Sequence, residues 1–279
     1  MLRSMSSAIT GLRNHQVYMD VVANNISNVN TTAFKASRVD FKEAIAQTIQ
    51  AASAGTATSP TGGKNPIAVG LGVSIGSIDT TLNQGSLINT GKNTDVAIQG
   101  EGYFTLGTYD SGTGVTTAGY YTRDGSFTLD SNGYLVDRST GYFVMDTSAT
   151  PARIRIDPAW GWATFSIGQD GTMTGVLSSG ATDAVNHPQI ALAKFANPEG
   201  LTKTGNNLFQ ASTNSGTATL HVPGTNGTGT LVNGSLEASN VDLAEQFSRM
   251  IMAERGFQAN SRVITASDEM LQDLVNIKR

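Results

Sequence analysis

Two apolar heptad stripes, one at each extreme end of the chain, constrain this sequence more than any other feature. At the N-terminal end Leu2, Met5, Ile9, Leu12, Gln16, Met19, Ala23 and Ile26 recur in steps of three and four. At the C-terminal end Leu243, Met250, Phe257, Ile264 and Leu271 recur every seven residues, and Phe247, Ala253, Leu274 and Val275 widen the stripe. That spacing places each set on one face of a helix. Asn24, Asn25, Asn28 and Asn30 crowd the end of the first helix, where Asn favours caps over helix interior. Asn240 or Asp242 can cap the second. Glu245 follows Asp242 by three residues, as in a capping box, and pairs with Arg249 at i,i+4. Pro223 is the last proline, so one helix can run from about Val241 to about Ile277, with Gly256 as its weak point.

A lone helix cannot bury its stripe. Each large apolar side chain contributes roughly 1.5–3 kcal/mol on burial, and each ordered backbone residue costs roughly 1–2 kcal/mol. The N-terminal helix therefore needs a partner, and the C-terminal stripe supplies one. The expected arrangement is a coiled-coil domain of residues 1–30 with 240–279. Leu2, Met5, Ile9, Leu12, Met19, Ile26, Leu243, Phe247, Met250, Phe257, Ile264, Leu271 and Leu274 are the expected subunit-interface residues. The ends are expected to be loose in the monomer and to order on assembly.

The middle reads as β. Ile67, Val69, Leu71, Val73 and Ile75 alternate strictly with Ala68, Gly70, Gly72, Ser74 and Gly76, and glycine on the bare face implies close approach of another backbone. Asp124-Gly125, Asn132-Gly133 and Asp170-Gly171 are hairpin-type turn signals. Strands are predicted at 163–167, 172–177, 190–195 and 217–222. The fold class is thus α+β, with paired terminal helices and a β-rich domain of antiparallel strands over 76–239. Residues 31–75 are a connecting segment whose stretch 51–64 reads as a flexible loop.

Charged residues make up only 14% of the 279, and the net charge is -4. Proteins usually carry about 25%, so much of this surface is expected to be Ser, Thr, Asn and Gly or to contact other subunits. No basic block supports nucleic-acid binding. No apolar run approaches the roughly 20 residues that span a bilayer. Ser4, Ser6, Ser7, Thr10 and Arg13 interrupt any signal-peptide core, so export is expected to use another route.

The residues for chemistry are missing. There is no cysteine, and His15, His187 and His221 lack metal-site spacing and read as scattered and exposed. No nucleophile elbow or phosphate loop occurs. Gly70-Leu71-Gly72 and Gly100-Glu101-Gly102 lack the third glycine and the helix of a dinucleotide fingerprint. The acidic residues Asp79, Asp95, Glu101, Asp110, Asp124, Asp130 and Asp137 are spread out and read as solvated or capping groups. Trp160 and Trp162 would face one side of a strand, where packing outweighs sugar contact. No catalytic residue, metal or cofactor is expected.

Four segments then match, in order, a known pattern: 23–35 (Ala-Asn-Asn-Ile-Ser-Asn-Val-Asn-Thr-Thr-Ala-Phe-Lys), 95–104, 121–127, and 234–243 continuing through 255–260. Together they resemble the bacterial flagellar rod and hook proteins. The resemblance implies terminal helices paired around a tube, an outer β-rich domain, and type III export without a cleaved signal peptide. It implies self-association into a helical homopolymer, with neighbouring rod and hook–filament junction proteins, a hook cap and the export apparatus as further partners. The segments 69–73, 85–91 and 274–279 look more like hook than rod. The expectation is a short hook subunit in an extracellular curved tube, with fixed axial packing by the helices and sliding contacts by the β domain. The alternatives are the straight distal rod of the basal body and, in another class, a secreted carbohydrate-binding β-protein or a hydrolase using Asp124 or Asp130. The stretch 147–162 is too short for the further outer domain of longer hooks.

Overall fold

The structure, a computed structural model, describes residues 2–54, 62–109, 116–147, 152–157, 160, 162–177, 179, 181–182 and 188–277. It is α+β and divides into two units. His187 and the centre of the expected 51–64 loop lie outside the described residues.

Unit 1 comprises residues 1–27, 37–81 and 242–279. The N-terminal heptad segment forms α1, Leu2–Ser27, and the C-terminal one forms α2, Leu243–Ile277. Asp242 caps α2 as expected: its Oδ1 accepts the Ala244 N–H at 2.8 Å and the Glu245 N–H at 3.3 Å. The Glu245–Arg249 pair also forms, at 2.6 Å. The helices run antiparallel, because Gly11 faces Asn260, His15 faces Gly256 and Asn25 faces Gln246.

The stretch expected to connect the domains holds two antiparallel strand pairs. Strands β1 (Ser37–Glu43) and β4 (Val73–Thr80) pair, and between them β2 (Ala46–Gln50) pairs with β3 (Ile67–Gly70). The alternation of residues 67–75, read as one strand, breaks at Leu71-Gly72. Gly72 has φ +118°, and a Cβ there would collide with the Thr10 hydroxyl of α1. The inferred close approach is thus to a helix as well as a strand. At Gly76 it is the Asp40 carbonyl that comes near, 3.2 Å from where a Cβ would stand.

Unit 2 comprises residues 28–36 and 82–241. Two short ladders lie near its chain ends: β5 (Leu87–Asn89) pairs with β19 (Ser235–Glu237), and β6 (Val96–Gln99) with β18 (Thr230–Asn233). A nine-stranded sheet forms the body. Its main path is β15 (Thr202–Gly205), β16 (Leu208–Gln210), β8 (Thr116–Thr122), β7 (Tyr103–Tyr109), β11 (Phe143–Val144), β10 (Leu135–Asp137) and β9 (Phe127–Leu129). Strand β14 (Leu192–Lys194) joins β7 to β17 (Thr219–His221). The remaining hairpin is β12 (Trp162–Ile167) with β13 (Met173–Leu177). Neighbouring residues of β7 serve different cores. Phe104 and Leu106 join the main cluster with Val96, Phe127 and Leu135, whereas Tyr103 packs with Tyr121, Phe195 and Phe209.

Two of the three turn signals behave as expected. Gly133 and Gly171 each sit at φ +80°, between β9 and β10 and between β12 and β13. Asp124-Gly125 does not make a hairpin. Gly125 instead lies against the β6 backbone, its carbonyl accepting the Val96 N–H at 3.0 Å.

Candidate assembly surfaces

On α1 the stripe that pairs with α2 is not the expected apolar stripe, and on α2 it takes in only part of that stripe. On α1 the buried positions are Ala8, Gly11, Val22 and Asn25, with His15 and Tyr18 half-buried between them. This is the expected stripe moved back by one residue, a rotation of about 100°. Met5, Leu12, Met19 and Ile26 are left half-buried and Ile9 exposed; the side chain of Leu2 lies outside the described residues. On α2 the buried residues are Gln246, Ala253 and Ser267. Met250, Ile264 and Leu271 flank them half-buried, while Leu243, Phe247, Phe257 and Leu274 point outward. Ile251, Met252, Val263, Met270, Val275 and Ile277 add to that outward apolar surface.

Small and polar residues win the seam because they let the backbones come close. A Cβ on Gly256 would lie 2.5 Å from His15 Cε1, and one on Gly11 would lie 2.6 Å from Asn260 Nδ2. Gly256 therefore serves contact rather than weakness. His15, read as a scattered exposed residue, packs instead between Gly256 and the Phe41 ring, whose centroid is 5.8 Å away. At one end of the seam the Asn25 amide donates to Ser37 O at 2.8 Å and to Gln246 Oε1 at 3.1 Å, and accepts the Ser37 N–H at 3.0 Å. A buried polar pair of this kind sets register rather than affinity. Gly256→Leu is expected to lower the stability of the helix pair by about 1–3 kcal/mol despite leucine's better helix propensity, read as earlier loss of the 222 nm signal on heating.

A second apolar surface lies on the β2–β3 ribbon. Ile45, Ile49 and Ile67 are exposed by 84%, 61% and 51%. A two-stranded ribbon is marginal alone in water, and isoleucines this exposed on it and just before it are left uncovered among the described residues. The sequence signal for it was the alternation from Ile67; Ile45 and Ile49 carried none that separates them from loop.

Among the residues weighed for chemistry, Asp124, Asp130, Asp137, Trp160 and Trp162 of unit 2 are engaged in structure, and Asp110 lies outside the described residues. Asp124 accepts the Thr32 hydroxyl at 3.0 Å and the Ser126 N–H at 3.1 Å. Burial raises its pKa above the usual carboxylate range, and those hydrogen bonds pull it partly back. Asp130 binds its own turn through the Ser131 N–H, and Asp137 gathers Ser139 and Thr140. Trp160 and Trp162 lie 5.1 Å apart and pack against the main core, Trp162 over Gly175. Sequence reasoning assigned no role to Lys35, Arg123 or Glu237, which form a buried ion cluster. Only their place within the family-like segments marked them. Among the described residues no group of acidic or histidine side chains could hold a metal ion, and no helix is long and apolar enough to cross a membrane.

Comparison with known proteins accounts for both the helical ends and the β unit. Residues 5–35 match the family described as flagella basal body rod protein, 97–175 the flagellar hook protein FlgE/F/G D1 domain, and 232–277 the flagellar basal body rod FlgEFG protein C-terminal region. The flagellar basal-body rod protein FlgG of Bacillus subtilis (strain 168) is 47% identical over 280 residues, covering 100% of both chains. FlgG of Borreliella burgdorferi is 37% identical over 284 residues, again covering all of both. The flagellar hook protein FlgE of Treponema pallidum is 27% identical over an alignment of 474 residues that covers all of both. The chain belongs to the flagellar rod and hook family of axial proteins, which are structural and not enzymatic.

Proposed function

We propose that this chain is a rod-type axial subunit, polymerising with copies of itself in the flagellar basal body into a straight, stiff shaft, and not the hook subunit that its short motifs favoured. One observation carries this reading. The chain aligns end to end with rod proteins over 280 residues, with almost no insertion on either side. The hook relative needs 474 aligned positions for a chain of 279. The hook-like stretches at 69–73, 85–91 and 274–279 are short, and length outweighs them.

The outward stripes of α1 and α2 serve as the subunit interface in this reading, with Ile9, Phe247, Phe257 and Leu274 as its exposed centre. Leu2, Met5, Leu12, Met19, Ile26, Leu243, Met250, Ile264 and Leu271 complete it. Together with neighbouring copies the α1–α2 pair forms a coiled coil, and the apolar area already in place on each helix is the material for it. The β2–β3 ribbon adds a further contact between copies. A shaft needs contacts that hold one register, and apolar faces buried over long helices do that better than wet, exchangeable ones. Other axial proteins are its neighbours at either end.

Electron microscopy of the concentrated full-length chain tests the assignment. Straight tubes are expected. Curved tubes would return the chain to the hook reading, and glycan binding by a monomer that never polymerises would favour the carbohydrate-binding one.

A further inference from the structure

Residues Asn28–Ala36 leave α1, enter unit 2, and hand the chain back to unit 1 at Ser37. What holds this segment in unit 2 is mostly polar. The Ala33 N–H donates to Glu237 O at 2.8 Å, and the Thr32 hydroxyl donates to Asp124 Oδ2 at 3.0 Å. Asn207 Nδ2 donates to Thr32 O at 2.8 Å, and the Ala36 N–H donates to Asn240 Oδ1 at 2.9 Å. No residue of the segment belongs to either hydrophobic cluster of unit 2. Ala33 sits at φ +56°, a conformation that a residue with a Cβ adopts only when held there.

The strongest hold is Lys35. Its side chain is almost fully buried, with Nζ 2.6 Å from Glu237 Oε1 and donating to Asn83 O at 2.8 Å. Arg123 Nη1 lies 3.5 Å from the other Glu237 oxygen, and the Gly85 N–H donates to Oε1 at 2.9 Å. Glu237 thus carries the charge balance for two buried cations. Lys35 and Glu237 stand 202 residues apart in sequence, so nothing local brings them together.

We propose that Asn28–Ala36 is a latch, a strap that opens and closes on unit 2 without unfolding the core beneath it, and that the Lys35–Glu237 ion pair is its catch. The segment is held mostly by hydrogen bonds and one ion pair, with Lys203 Nζ donating to Lys35 O and the Asn240 N–H to Phe34 O besides those above, and no residue of it belongs to a core cluster, which favours opening by local rather than global unfolding. Closed, the latch pins the chain where it enters unit 2 and where it leaves. Open, nine residues become slack between α1 and β1. Because the catch needs residue 237, the latch closes only after nearly the whole chain is in place. The inference is independent of the choice between rod and hook.

Hydrogen exchange of the full-length chain, followed by mass spectrometry, tests it. In the unmodified chain the amides of 28–36 are expected to exchange by an opening that barely depends on denaturant, while those of 103–109 in β7 follow global unfolding. Lys35→Met leaves Glu237 paired with Arg123 and is expected to speed exchange of 28–36 about tenfold. Glu237→Gln strands two buried cations and is expected to speed it about a hundredfold or more. The double variant is expected to fall well short of the product of the two, since both remove one interaction. Residues 103–109 should keep their protection in Lys35→Met. Unchanged exchange in both single variants, multiplicative effects in the double, or parallel loss of protection in 28–36 and 103–109 would each overturn the latch. Should Glu237→Gln not fold, the denaturant dependence of the unmodified chain and the Lys35→Met result still decide.

Discussion

Phe247→Asp is expected to abolish polymerisation at concentrations where the unmodified chain forms tubes, while leaving the helix content of the monomer unchanged. Phe247 is 50% exposed on α2, away from the buried seam residues Gln246, Ala253 and Ser267. It is not one of the buried seam residues, and half of its surface is open to solvent. In the proposed shaft its ring is buried against a neighbouring copy. Burying a phenylalanine contributes roughly 1.5–3 kcal/mol, and an unpaired charge in its place costs more. A loss of about 3 kcal/mol per subunit raises the critical concentration by at least about a hundredfold. Pelleting assays across a concentration series measure this, with far-UV circular dichroism reporting on the helices. Pelleting at the unmodified concentration would show that the outward face of α2 is not the interface.

Gly125→Ala is expected to destabilise unit 2 severely. A Cβ at this position would overlap the Val96 carbonyl oxygen and lie 3.2 Å from the Phe104 ring. Val96 and Phe104 are both fully buried members of the main core, so neither can move aside cheaply. The obstacle is backbone, not a flexible side chain. Such a clash belongs to the rare class of single substitutions costing more than about 4 kcal/mol. For a unit of this size that corresponds to a melting point lower by about 10 °C or more. A thermal melt within about 3 °C of the unmodified chain would mean that β6 is not held against Gly125 as described.

Gly125 also shows where sequence reasoning reached its limit. Asp124-Gly125, Asn132-Gly133 and Asp170-Gly171 have the same local chemistry. Gly133 and Gly171 adopt the positive φ that a tight turn requires. Gly125 is glycine because a strand from elsewhere in the chain touches its α-carbon. A dipeptide cannot carry that distinction. The alternation over 67–75 fails similarly: it is unbroken as a pattern, yet the chain bends at Gly72 because α1 is there.

The helices divide the same way. Their existence, the Asp242 cap of α2 and the ion pair Glu245–Arg249 follow from periodicities and contacts within a few residues, so they were legible along the chain; the expected Asn cap of α1 was not, since Asn24 and Asn25 lie within the helix. Which face pairs with which was not. Heptads of large apolar residues mark the surface with the most to bury, but two helices approach most closely along glycine, alanine and short polar side chains. Ala8, Gly11, Ala253 and Gly256 took the seam, Met250, Ile264 and Leu271 were left half-buried beside it, and Ile9, Phe247, Phe257 and Leu274 face out.

By itself, then, the sequence determined the α+β class, the helical ends, two of the three turns and the resemblance to flagellar axial proteins, because each rests on short-range pattern. Only the tertiary structure decided the helix face used within the chain, the glycine at a strand contact, and the Lys35–Glu237 pair across 202 residues. Those depend on which surfaces compete for the same buried space, and that competition exists only once distant segments have met.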